Sequence, residues 1–145
     1  GRTIHSLVRL LSLYAPIKSN LVSPGILRLP HELIRVLRER KVDIVELERW
    51  DAVLQETDVL YVTRVQKERF TDISTYEKLK HAYIVDSDIM KKLKKSAIVM
   101  HPFPRVGEIS MEVDLDPRAI YISEQMANGM YVRMALLKLI LLKSL

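Results

Sequence analysis

The sequence predicts an α/β domain: a three-layer α/β/α, Rossmann-like arrangement around a mostly parallel sheet. Three observations carry this. The candidate strands, such as 59–63 and 97–100, are continuous apolar runs, the pattern of strands buried on both faces of a parallel sheet. They alternate with segments whose apolar residues recur at helical spacing. The chain closes on a long helical segment, about 129–145, rich in leucine.

The elements follow in order. Ile4, Leu7, Val8, Leu11 and Tyr14 share one helical face, so the chain opens with a helix that Thr3 could help cap. A short strand over 20–22 ends at the turn Ser23-Pro24-Gly25. Pro30 opens a helix with the stripe Leu33, Ile34 and Leu37, because a proline at the first helical position sacrifices no needed donor. A strand over 42–47 precedes a short helix at Trp50, Val53 and Leu54, and the strand 59–63 follows. After the charged loop Gln66-Lys67-Glu68-Arg69 come a helix around Tyr76 and Leu79 and a brief extended piece over 83–85. Asp86 or Ser87 caps a helix carrying Ile89, Met90 and Leu93. The last strands are 97–100 and 119–122.

Two features read as incomplete. A first helix in this fold class should follow a strand, and none precedes it. The closing helix is apolar almost all round, from Met134 to Leu142, and such a helix expects cover on several sides. Both predict that the chain is the C-terminal part of something larger.

The 145 residues carry a formal net charge of +5 and no cysteine. This length suits one domain with a real core. Without cysteine there is no disulfide framework or thiolate metal site, which fits a cytoplasmic protein. Lys138 and Lys143 interrupt the longest apolar run, so no segment reads as a membrane span. The positive charge raises nucleic-acid binding. However, Lys91, Lys92, Lys94 and Lys95 and the cluster Arg35, Arg38, Arg40 and Lys41 read as solvated helix faces and ends, with no interleaved aromatics.

The most informative segment is His101-Pro102-Phe103-Pro104-Arg105. Two prolines fix the backbone around one aromatic residue directly after a strand, leaving carbonyls in set directions beside a cation. The same segment also reads as a stiff turn. In open parallel sheets ligands bind beyond the carboxyl ends of strands. That predicts a cleft drawing on Arg64, on the 101–105 segment, and on Arg2 and Thr3 at the opening of the first helix, where amides favour anions. Two arginines at one cleft suit a dicarboxylate or phosphate, because guanidinium pairs bidentately with such groups. Plainer readings exist: Arg2 as a solvated terminal residue, Arg64 paired with Glu68, and 66–69 as a charged loop. His5, His31, His81 and His101 lack metal-ligand spacing and suit structural or surface roles. The sequence has no Gly-rich phosphate loop and no nucleophile elbow. Glu112, Asp114 and Asp116 read as loop charges and capping groups.

Four motifs together resemble the aspartate carbamoyltransferase family: Gly1-Arg2-Thr3-Ile4-His5-Ser6-Leu7, Thr63-Arg64-Val65-Gln66-Lys67-Glu68-Arg69-Phe70, His101-Pro102-Phe103-Pro104-Arg105-Val106-Gly107-Glu108-Ile109, and Asn128-Gly129-Met130 with Arg133-Met134-Ala135-Leu136. They occur in the family's order and span the chain. The resemblance implies the aspartate-binding domain of a two-domain enzyme, residues 1–145, with the closing helix packing on a carbamoyl-phosphate domain that is not in this sequence. The first strand of the aspartate domain would precede Gly1.

By that resemblance Arg2 and Arg64 bind the carboxylates of L-aspartate, and Thr3 and Gln66 support that site. Glu68 orients Arg64, and Arg69 pairs with an acid of the other domain. The Phe103 carbonyl, held by a cis bond to Pro104, accepts from the carbamoyl amide and the aspartate amine, with Arg105 in support. The family commonly has Leu at 103 and an acidic or amide residue at 107, so Gly107 implies the loss of a bracing hydrogen bond. Relatives that use ornithine carry Cys where Pro102 stands, which favours aspartate here. The implied activity is carbamoyl transfer from carbamoyl phosphate to aspartate in pyrimidine biosynthesis, without cofactor or metal. The implied assembly is a homotrimer, with regulatory chains or fused pyrimidine-pathway domains as further partners. The rivals are a non-catalytic fragment of the same family that binds a dicarboxylate or a partner protein, and, ranked last, a nucleic-acid-binding domain.

Overall fold

A computed structural model describes residues 2–14, 16–67 and 70–142. The chain divides into two units, one of residues 1–55 with 66–71 and the other of 56–65 with 72–145. Each has its own pair of parallel strands, and each pair is linked through helices.

In the first unit, helix α1 (Arg2–Leu11) leads to strand β1 (Lys18–Val22), helix α2 (His31–Glu39) and strand β2 (Asp43–Leu47). The strands pair in parallel from Lys18 opposite Asp43 to Val22 opposite Leu47. Val8 of α1 and Leu33 and Leu37 of α2 form one buried cluster, against which Ile4, Leu21, Leu29, Val42 and Ile44 pack. The helical stripes read from the sequence are the faces these helices turn inward, except that Tyr14 lies beyond the end of α1 and is exposed. Pro30 sits one position earlier than expected, as the N-cap of α2 and not its first residue. Thr3 is not a cap, because α1 already begins at Arg2 and Thr3 lies within it. The short helix expected at Trp50 to Leu54 is a turn followed by a single 3₁₀ turn, Leu54–Glu56. Amides 53 and 54 share the Trp50 carbonyl, at 2.9 and 3.2 Å, a three-centre arrangement of one mixed 3₁₀ and α turn.

In the second unit, strand β3 (Val59–Tyr61) pairs in parallel with β4 (Ile98–Met100). Between them in sequence lie helices α3 (Ile73–Leu79) and α4 (Ser87–Lys92). Asp86 caps α4, accepting from the amides of Asp88 and Ile89 at 3.0 and 2.9 Å. Glu112 adds to that cap by accepting from the Ser87 amide at 3.1 Å and its hydroxyl at 2.6 Å. The extended piece at 83–85 is one parallel bridge, Val85 to Ile109. Val85, Val99, Ile109, Val113 and Tyr121 are almost completely buried.

The expected final strand is corrected. Only Ala119 bridges to Val99, and the chain then winds through a π-helical turn, Tyr121–Gln125, into helix α5 (Met126–Leu142). The run from Ala119 to Ile122 has strand propensity, but Tyr121 is drawn inward with its hydroxyl on Asp114, and the backbone coils to place it there. Helix α5 thus starts at Met126 rather than near Gly129, which is an ordinary interior position. Residues 143–145 of the expected closing helix lie outside the described residues. No residue of α5 is buried, and Leu139, Ile140 and Leu141 are each more than half exposed. No helix among the described residues is long and apolar enough to cross a membrane. Where the sequence reading has one sheet, the described strands form two sheets of two strands each.

Candidate functional site

The segment after β4 is the most constrained turn in the second unit. The Phe103–Pro104 peptide bond is cis, and Phe103 has φ 56°. A bulky side chain at positive φ is an outlier, costing about 1–3 kcal/mol, and persists only where its surroundings fix it. The surroundings here are specific. His101 is 1% exposed and Glu108 6%. His101 Nε2 lies 2.7 Å from Glu108 Oε1. The Phe103 amide donates to His101 Nδ1 at 2.9 Å, and the Val106 amide donates to Glu108 Oε2 at 3.0 Å. The His101 amide in turn donates to the Gln125 side-chain oxygen at 2.9 Å.

These bonds assign the histidine tautomer. An amide can only donate, so Nδ1 presents its lone pair and Nε2 carries the proton, given to the Glu108 carboxylate. Burial pushes the Glu108 carboxyl up, but the bond from His101 and those from the Glu108 and Val106 amides outweigh it. The net effect is a carboxyl held below its ordinary value.

A second cluster secures the next residue. Arg105 pairs with Asp114 through both terminal nitrogens, one of them at 2.8 Å from Oδ2. The Tyr121 hydroxyl also donates to Asp114. The hydrogen bond from Arg105 lowers the Asp114 carboxyl, burial opposes this, and the Tyr121 bond adds to the lowering. Burial, followed by the Asp114 bond, pushes the Tyr121 hydroxyl up to about 12. The Phe103 ring meets His101 and Tyr121 edge-on, with centroids 5.5 and 6.0 Å apart. Asp114 is therefore a partner of Arg105 and not the loop charge read from the sequence.

Gly107 completes the turn at φ 115°, where side chains are strongly disfavoured, although an added Cβ would meet nothing within 4 Å. The position is set by backbone conformation, and the turn is braced by Glu108 and Asp114.

The other predicted site residues divide between the units. Arg2 and Thr3 are exposed at the start of α1, and half-buried Gln66 also belongs to the first unit. Arg64 is half-buried just after β3, in the second. Glu68 and Arg69 lie outside the described residues. The sequence reading missed Glu108, Tyr121 and Gln125 as partners of the turn. Glu108 lies within the same family motif, 7 residues from His101, but carries no role in the sequence reading, and Gln125 lies 24 residues away outside all of the motifs. Among the described residues no group of three or more His, Cys, Asp or Glu could hold a metal ion. The basic residues of α4 and its flank meet acids, with Lys91 on Asp88 at 2.8 Å and Lys94 on Asp58 at 2.7 Å.

Parallel βαβ units with a proline-bearing turn at the carboxyl end of a strand define an α/β domain of the kind whose ligands bind beyond the carboxyl ends of its strands. The family model "Aspartate/ornithine carbamoyltransferase, Asp/Orn binding domain" matches residues 1–140. The chain belongs to that family. It is 52% identical over 140 residues to the multifunctional protein pyr1-3 of Dictyostelium discoideum, covering 97% of this chain and 6% of that protein. It is 49% identical over 141 residues to the aspartate carbamoyltransferase catalytic subunit of Thermofilum pendens, covering 97% of this chain and 44% of that subunit. The catalytic subunit of M. jannaschii aspartate transcarbamoylase superimposes with a TM-score of 0.87 at 46% identity, over 95% of this chain and 44% of that one. Aspartate transcarbamoylase from Trypanosoma cruzi, in complex with carbamoyl phosphate and aspartate, superimposes with a TM-score of 0.84 at 42% identity, over 94% of this chain and 46% of that one. The chain thus spans less than half the length of these catalytic subunits.

Proposed function

We propose that this chain supplies the aspartate-binding half of an aspartate carbamoyltransferase, which moves a carbamoyl group from carbamoyl phosphate to L-aspartate in pyrimidine biosynthesis. The observation that carries the reading is the 101–108 turn. Its backbone is held by a buried network, in a chain matched over 97% of its length by aspartate carbamoyltransferase catalytic subunits. In the proposed reaction the neutral aspartate amine attacks the carbamoyl carbon. A C–N bond forms, the C–O bond to phosphate breaks, phosphate leaves with that electron pair, and the proton lost by the amine passes to the departing phosphate.

This half contributes positioning more than chemistry. The Phe103 carbonyl, ahead of Pro104, accepts from the attacking amine and the carbamoyl amide, and Arg105 supports the turn. Arg64, with the Arg2, Thr3 and Gln66 contacts that the family resemblance implies, recognises the aspartate carboxylates; by the same resemblance Glu68 orients Arg64 and Arg69 pairs with an acid of the other domain on closure. Aligning two reactants and stabilising the charged tetrahedral state supplies the acceleration. The apolar surface of α5 suits burial against the carbamoyl-phosphate domain. In the proposed assembly the active enzyme is a trimer.

The test measures carbamoylaspartate formation by the chain alone and after a carbamoyl-phosphate-binding domain is supplied in trans or in the same polypeptide. The expected result is negligible turnover alone and restored turnover with the second domain. Steady-state turnover by the chain alone overturns the half-site reading. Failure of the second domain to restore turnover favours a non-catalytic binding fragment.

A further inference from the structure

We infer that His101 and Glu108 are positioning residues that set the backbone of Phe103, with neutral His101 as the clamp and Glu108 as the tie between the two limbs of the turn. The inference rests on the reading above, in which the Phe103 carbonyl touches substrate. The residue that must present its carbonyl has an unfavourable φ of 56°, and so needs outside support. His101 Nδ1 holds the amide of that same residue at 2.9 Å, which fixes the peptide plane from which Phe103 turns. Glu108 holds the ring through one oxygen, at 2.7 Å, and the Val106 amide through the other, at 3.0 Å. Phe103, Pro104 and Arg105 are thereby suspended between two tethered points.

The two ring nitrogens of His101 and both carboxylate oxygens of Glu108 are engaged within this one turn, and the His101 amide ties it to Gln125. Two polar side chains this deeply buried need such satisfaction, because a buried polar group left without a partner is costly. Apolar residues could fill the same volume, but they could not hold an amide in a chosen direction. The arrangement works in only one protonation state: a proton on Nδ1 would face the Phe103 N–H and remove its acceptor.

Amide geometry separates the two halves of the clamp. In His101→Asn the side-chain oxygen reaches the Nδ1 position and can still accept from Phe103. In His101→Gln the amide nitrogen reaches the Nε2 position and can still donate to Glu108, but the Phe103 amide loses its partner. The enzyme is assayed with its carbamoyl-phosphate domain present. Expected for His101→Gln is a loss of roughly tenfold to a hundredfold in kcat/KM for aspartate, the size of one unsatisfied buried donor. His101→Asn is expected to recover most of that loss. The carbamoyl phosphate KM is expected to rise in His101→Gln and to recover in His101→Asn, because the same carbonyl accepts from the carbamoyl amide. Nitrogen NMR of labelled histidine should show an unprotonated Nδ1 and a protonated Nε2, and Phe103 amide exchange should quicken in His101→Gln only.

Equal impairment of the two variants, or unchanged kinetics in His101→Gln, overturns the inference. If the wild type makes no carbamoylaspartate, the functional reading fails by itself. The ring-nitrogen signals and the Phe103 exchange rate still decide the clamp, and a protonated Nδ1 or equal exchange in both variants refutes it.

Discussion

Replacing Asp114 by asparagine keeps the size of the side chain and removes its charge, which makes it the sharpest probe of what holds the turn. Asp114 accepts from two nitrogens of Arg105 and from the Tyr121 hydroxyl. A hydrogen bond to a charged group contributes about 1.5–3 kcal/mol. The Arg105 and Asp114 side chains are 19% and 24% exposed, so solvent screens part of this. Asparagine retains one acceptor. The expected loss is therefore about 2 kcal/mol, seen as a fall of roughly 1 M in the urea midpoint by circular dichroism.

The pH dependence gives a second reading of the same contact. The Asp114 carboxyl is lowered in the folded state, so its contribution is complete above the unfolded value of about 3.9 and is lost as pH falls through the folded one. Asp114→Asn should therefore flatten the loss of stability below about pH 4. Tyr121, raised to about 12, has the opposite dependence: its contribution is complete below about pH 10 and is lost as pH rises through the folded value. A loss under about 0.5 kcal/mol refutes the reasoning. So does full additivity between Asp114→Asn and Tyr121→Phe in a double-mutant cycle, since groups in one network should couple.

Leu37→Ala empties a fully buried position in the cluster of α1 and α2, and thermal or urea denaturation should show a loss of about 2–5 kcal/mol. Asp86→Ala removes the α4 cap and should cost about 1 kcal/mol, with faster amide exchange at Asp88 and Ile89 than elsewhere. Gly107→Ala meets open space yet must adopt φ 115°, so urea titration should show a loss of roughly 1–3 kcal/mol; a neutral result would mean the turn relaxes freely.

Much of the architecture was legible because it is local. The stripes Ile4–Val8 and Leu33–Leu37 follow helical periodicity, and the unbroken apolar runs at 59–61 and 98–100 are strands, although only Val99 among them is fully buried and Val59 is half exposed. Asp86 caps its helix by a contact two and three residues away. The family motifs were readable for the same reason: each is a contiguous run of residues.

What only the tertiary structure decided is which polar atoms meet, even between residues close in sequence. Residues 119–122 have strand propensity, but a buried Tyr121 reaching Asp114 turns them into a single bridge and a π-helical turn. His101 alone in a sequence is one histidine among four. Its ring nitrogens acquire separate duties only when folding brings Glu108 and the Phe103 amide to either side. Periodicity records which face of an element is buried. It does not record which polar atoms meet inside, because burial is a property of one segment and a hydrogen bond requires two.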